Sequence, residues 1–170
     1  MVHVPVVAGW FAQDDETGFR LLGTRCTGCA AVSFPREEDF CRNPDCPGGE
    51  LAEVPLSRRG TIWSYTDGRY RPPPPYPGDP GAEWEPYVLI AVELAAERMV
   101  VLGQAAPGVS LADLAVGMAV EVVPGVLYEE HRKDDGHRGA ADGPEGTGAD
   151  GDGGGTVWTT WHWRPVREGA

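Results

Sequence analysis

The sequence contains one lysine, Lys133, and four histidines, and its four cysteines all fall between Cys26 and Cys46. The lysine stands in residues 129–155, a stretch whose composition argues against order, so a Schiff-base lysine in a folded site is excluded. His131 and His137 share that stretch, which leaves His3, near a terminus, and His162 as candidates for acid–base chemistry. Positive charge is scarce: 14 Lys and Arg stand against 26 Asp and Glu, a net charge of −12. Salt-sensitive clamping of a nucleic acid by the whole surface is therefore disfavoured, and only a local basic patch remains available for anions. No apolar run approaches the roughly 18 residues that cross a membrane, and Met1-Val2-His3-Val4-Pro5 lacks the charged and apolar regions of a signal peptide. The expectation is a cytoplasmic protein without a membrane partner.

What is present fits one domain or two small ones: 170 residues, 41% hydrophobic and 24% charged. The chain divides into an N-terminal arm (1–18), a cysteine-bearing module (19–57), a longer β module (58–165) and a tail (166–170). Val6 to Phe11 reads as a short element or docking arm. Phe19 to Thr24 reads as a strand leading into Cys26-Thr27-Gly28-Cys29, with Ala30 to Phe34 and Leu51 to Pro55 as further short strands.

The cysteines follow C-x2-C, eleven residues, then C-x4-C, each pair in a Gly- or Pro-containing turn between short strands. Such turns can place the thiolates of Cys26, Cys29, Cys41 and Cys46 about 2.3 Å from one tetrahedral ion, and zinc is the best reading. Its role would be structural, because a module this small buries little core and metal binding supplies folding energy. A thiol held by zinc is not available as a nucleophile. The alternatives are a lost or degenerate site, or redox or disulfide use of the thiols.

From Gly60 the strands lengthen. Thr61 to Tyr70 alternates polar and aromatic residues, Tyr87 to Leu94 and Arg98 to Ala105 read as a hairpin, and Thr156 to Trp163 as a closing strand. Ser110-Leu111-Ala112-Asp113 carries a helix-capping pattern that predicts one or two turns ending at Gly117. Met118 to Val123 then predicts a strand that runs on to Tyr128, with a bulge at Pro124-Gly125. Between the first and second of these strands lies Arg71 to Pro86, with seven prolines, read as an extended loop that either spans the module or folds over a partner's site. Residues 129–155 hold eight acidic residues, three basic residues and nine glycines, and read as a flexible insertion. Strand, strand, strand, short helix, strand, strand is the order of a five-stranded OB barrel. The fold class expected is mainly β: an N-terminal zinc-held module of short strands followed by a five-stranded OB-fold barrel with one short helix.

OB barrels bind oligonucleotides, and Trp63, Tyr65 and Tyr70 beside Arg58, Arg59, Arg69 and Arg71 would offer a stacking and phosphate-binding face. The same residues also suit the phosphates of acyl-CoA or an acidic partner surface, or simply a solvated strand edge. Trp158, Trp161 and Trp163 read as barrel packing or as interface anchors. His162 reads as a satisfied structural histidine or an interface residue rather than a base.

Taken in order, Gly18-Phe19-Arg20-Leu21 before Cys26-Thr27-Gly28-Cys29, Phe34-Pro35-Arg36 before Cys41, Gly60-Thr61-Ile62-Trp63-Ser64-Tyr65, Pro86-Tyr87-Val88, Gly117-Met118-Ala119-Val120 and Trp161-His162-Trp163-Arg164-Pro165 resemble a known family. It is that of acyl-CoA-associated proteins made of a rubredoxin-like zinc ribbon followed by an OB-fold, so the resemblance implies that the zinc-held module is such a ribbon. The second knuckle departs from it, since C-x2-C is the commoner form there, as does the acidic insertion. The resemblance implies a subunit without catalytic residues or an organic cofactor of its own. It would pair with a thiolase-like or lipid-transfer-protein-like enzyme acting on CoA thioesters, as in the retro-aldolase of steroid side-chain degradation. Other readings are a single-stranded nucleic-acid binder and a free acyl-CoA-binding protein.

Overall fold

The computed structural model describes residues 1–14, 18–73, 83–130 and 155–166. Lys133, His131, His137, most of the proline loop and nearly all of the acidic insertion lie outside them. The strands are β1 (Val2–Pro5), β2 (Phe11–Asp14), β3 (Gly18–Cys26), β4 (Val32–Ser33), β5 (Leu51–Pro55), β6 (Arg59–Gly68), β7 (Tyr87–Leu94), β8 (Met99–Ala105), β9 (Ala119–Glu130) and β10 (Thr156–Pro165). No helix among the described residues is long and apolar enough to cross a membrane.

β3 organises the N-terminal module. It pairs antiparallel with β2 along one part of its length and with β4 and β5 along the other, so one nine-residue strand carries the whole ribbon. Phe19 and Leu21 are buried on it, as period-two alternation requires, and both join the barrel's core.

In the barrel, β6, β7 and β8 form an antiparallel meander, β8 pairs in parallel with β10, β10 pairs with β9, and β9 returns to β6. The sheet therefore closes on itself in the OB order. Ile62, Ile90, Val92, Leu94, Val120 and Trp163 are 0–1% exposed and fill the interior. Closing the barrel removes the edges that a Val- and Ile-rich hairpin such as β7–β8 would otherwise expose.

Several local expectations change. The capped helix is only a 3₁₀ turn, Leu111–Asp113, although Ser110 donates from both its amide and its hydroxyl to Asp113 Oδ2, at 2.8 and 2.6 Å. Leu114 is extended (φ −115°, ψ 145°) and is buried in the core, and that burial ends the turn. Pro124 and Gly125 keep regular pairing with Trp161 and Thr160, and the irregularity falls further along β9, between the partners of Trp158 and Thr159. The β6 ladder covers only Ala119 to Glu121, so at Pro124 β9 has an edge that tolerates a missing amide hydrogen. The arm divides in two: β1 pairs in parallel with β10, Val2 opposite Thr156 and Pro5 opposite Thr159, while β2 belongs to the ribbon.

Where these parts meet, Trp161 of β10 lies 5.6 Å from Phe34, 6.1 Å from Trp10 and 6.2 Å from Phe11 between ring centroids. Its indole donates to the carbonyl of Leu102 at 3.1 Å. Gly103 makes room for this arrangement, since a Cβ there would stand 2.7 Å from the Trp161 indole nitrogen and 2.8 Å from Trp163. Of the three tryptophans on β10, Trp163 is barrel core, Trp161 joins the modules, and Trp158 stacks on Tyr128 at 5.9 Å.

Candidate metal centre

The two cysteine pairs sit in turns that the backbone builds independently. In the first, Ala30 donates its amide to the carbonyl of Cys26 at 2.9 Å and takes a left-handed φ of 61°. Gly28 is required by close approach: a Cβ there would stand 1.9 Å from the carbonyl oxygen of Gly48. In the second, the four-residue gap is taken up by a turn at Asn43. Its side-chain oxygen accepts from the Asp45 amide and its carbonyl from the Cys46 amide, each at 3.1 Å. That turn brings Cys46 to the first pair despite the wider spacing.

The four sulfurs lie within 4.8 Å of one another, with Cys26 to Cys46 at 3.5 Å and Cys29 to Cys41 at 3.6 Å. A tetrahedron with 2.3 Å arms has edges of about 3.8 Å, so the cage has the size of a four-thiolate zinc site. Its electrostatics are divided. The amides of Cys29 and Gly28 lower the Cys26 thiol, and the Ala31 amide with the Asn43 side chain lowers Cys29 to about 6. The Gly48 amide works in the same direction on Cys46, but burial and the three neighbouring sulfurs outweigh it and raise that thiol to about 12. Four thiolates this close need a cation among them, and these donors fit a divalent one.

The basic and aromatic residues do not form one face. Arg59 and Arg69 stand at opposite ends of β6, ten steps and roughly 30 Å apart. A register shift between Ile62 and Ser64 sends Trp63 and Tyr65 to opposite sides. Tyr65 turns to the core and its hydroxyl donates to the Leu114 carbonyl at 3.0 Å, whereas Trp63 is 63% exposed. The alternation of Thr61 to Tyr70 concealed this bulge, and the continuous stacking face for single strands is not assembled. Arg69 is paired with Asp67, Tyr70 and Arg71 are exposed beyond the end of β6, and Arg58 lies against Gly18 of β3.

Arg59 instead helps line an open cavity of about 730 Å³ at one end of the barrel, with Glu121, Asp113, Val109, Pro107 and Arg164. Glu121 accepts from Arg164 at 2.6 Å and lies 4.0 Å from Arg59, and Arg164 foremost holds its carboxyl below the usual range. Arg164 was legible only as part of a closing motif, because nothing local shows that β9 sets Glu121 between the end of β10 and the start of β6. His162 is 4% exposed, and neither ring nitrogen has a hydrogen-bond partner among the described residues. It is therefore buried but not satisfied, and burial lowers its pKa from 6.5.

Two protein-domain families match consecutive stretches of the chain. The ChsH2 rubredoxin-like zinc ribbon domain matches residues 19–52, and the ChsH2 C-terminal OB-fold domain residues 53–124. A curated relative, the benzoylsuccinyl-CoA thiolase subunit BbsA of Thauera aromatica, is 43% identical over 47 residues, which is 28% of this chain and 31% of that protein. The match thus spans about a third of the relative's length. Among solved structures, a chain of an Ltp2-ChsH2(DUF35) aldolase aligns over 86% of this chain and 84% of its own, with TM-score 0.51 and 22% identity. That likeness is one of fold.

Proposed function

Since the chain belongs to the family built from a ChsH2-type zinc ribbon and a ChsH2-type OB-fold, we propose that it is the accessory subunit of a thiolase-like enzyme acting on CoA thioesters. The observation that carries this reading is the gathering of all four of the chain's cysteines into one cage. A thiolase-type reaction needs a thiol nucleophile, and these thiols are committed to holding the ribbon. The relative named as a thiolase subunit and the fold shared with an aldolase chain support the same assignment.

Within it, Cys26, Cys29, Cys41 and Cys46 hold Zn²⁺, which cross-links the two knuckles and takes no part in chemistry. The barrel docks on the enzyme, and the acyl-CoA lies near the joint surface. The exposed cations at the two ends of β6, Arg58 and Arg59 at one and Arg69 and Arg71 at the other, are suited to two separate anionic contacts. The finer reading is a retro-aldolase that cleaves a β-hydroxyacyl-CoA from a steroid side chain, with the reacting groups in the partner.

The test measures cleavage of such a CoA thioester by a thiolase-fold enzyme of the same organism, with and without the chain. Turnover that requires both proteins is the expected result. Full turnover by the isolated chain would overturn the proposal.

A further inference from the structure

The outer face of the barrel carries an apolar belt. On β7, Ile90 and Val92 point inward, so Ala91 and Glu93 lie on the other face, opposite Leu102 and Val100 of β8; Glu93 is exposed there and Ala91 is buried beneath its neighbours. On β6, Ser64 stands opposite Ala91 and the bulged Trp63 projects beside it. Hydrogen bonds from Gly117 to the Ile62 carbonyl (2.8 Å) and from Ile62 to the Met118 carbonyl (2.9 Å) bring Val116 alongside the same strand. Val116, Trp63 and Leu102 are 69%, 63% and 56% exposed, and Val100 is 45% exposed. Four of the nine large exposed hydrophobics of the described residues thus form one strip across three strands and the segment that leads into β9.

Two properties identify what covers it. The first is area: one largely exposed Trp with three exposed aliphatic side chains amounts to about 300 to 400 Å² of apolar surface. A standard heteromeric interface buries about 800 Å² per partner, a little over half of it apolar, which is close to this area, whereas an obligate homodimer buries about 1,000 Å² or more per copy, about 65% of it apolar, which exceeds it. The second is charge. In a chain of net charge −12, the belt holds one charged residue, Glu93, which is exposed and makes no ion pair among the described residues.

We infer that this belt is the docking surface for the thiolase-fold subunit, which meets it with an apolar face and places a Lys or Arg opposite Glu93. The inference rests on the accessory-subunit reading and deepens it by naming the surface. Trp63 is the anchor, because tryptophan is among the residues enriched in interface hot spots.

The experiment measures binding of the chain to a thiolase-fold enzyme of the same organism, by calorimetry and by co-elution. The variants are Trp63→Ala, Leu102→Glu and Glu93→Lys, with Phe40→Glu in the ribbon as control. Trp63→Ala is expected to raise the Kd at least about 30-fold. Leu102→Glu should abolish co-elution, Glu93→Lys should weaken binding in a salt-dependent way, and Phe40→Glu should leave binding unchanged. Melting temperatures check that each variant is folded. If the wild type binds and the belt variants bind equally well, the belt is not the docking surface and the accessory reading stands. Failure of the wild type itself to bind overturns both. A homodimer of the isolated chain that Trp63→Ala dissociates would assign the belt to a second copy and overturn the inference.

Discussion

The ribbon and the barrel solve one problem, how to keep short strands together, by opposite means. From Thr27 to Pro55 not one residue is buried, although this stretch carries three of the four cage cysteines. In the barrel, by contrast, aliphatic residues of β6, β7, β8 and β9 and Trp163 of β10 are sealed from solvent. The ribbon's knuckles therefore depend on coordination and the barrel on apolar burial. The boundary between the two regimes does not coincide with the boundary between modules, because Phe19, Leu21 and Leu56 belong to the barrel's core while Cys26, on the same strand as Phe19 and Leu21, belongs to the cage.

The largest effect that would test this contrast is removal of the metal. Structural zinc contributes on the order of 10 to 16 kcal/mol near neutral pH in small modules. Stripping it with a chelator, or replacing Cys26 by Ser, should abolish amide-exchange protection in Thr27 to Pro55 while β6 to β10 keep theirs. Exchange mass spectrometry alongside metal analysis reads this directly. Loss of protection throughout the chain would mean that the Trp161 junction makes the two regions one cooperative unit.

The converse variant is Trp163→Ala, which empties a buried indole site and should cost about 3 to 5 kcal/mol in a denaturant titration. Zinc content should stay at one ion per chain if the cage stands by itself. A variant that loses both would dissolve the distinction.

The smallest expected effect is on pH dependence, and it belongs to the barrel. Burial depresses the pKa of folded His162 below 6.5, so below that pH the unfolded chain binds a proton that the folded chain resists. Stability should fall as pH drops from about 6.5, levelling off below the folded pKa, and His162→Gln should remove this slope. Glu121 titrates in the same sense but lower, because Arg164 holds it down, while the cysteine cage also responds to pH in this range, so the difference between wild-type and His162→Gln melting curves between about pH 5 and 7 isolates the histidine.

Much of the candidate site was open to reading from local pattern. Cysteine spacing within Gly- and Pro-rich turns is a short-range property, and so are the apolar run of β7 and the break before β8. What escaped depended on partners distant in sequence. Trp63 and Tyr65 share a parity, yet the bulge separates them, because Ile62 and Tyr65 both pack inward on a strand whose neighbour is more than 20 residues away. Val6 to Phe11 is ambiguous by itself, and its flanks become strands only where β10 and β3 offer edges.

The order of residues by itself determined the four-sulfur cage, the mainly β character and the succession of ribbon and barrel, because turn chemistry and period-two burial act over a few residues. Only the tertiary structure decided where the other side chains end: the Trp63 belt and the Arg59–Glu121–Arg164 cluster outside, the unsatisfied His162 inside. The physical reason is closure. When β9 and β10 complete the barrel, register and bulges assign each side chain to the interior, the seam with the ribbon or the solvent, and that assignment depends on pairings between strands far apart in the chain.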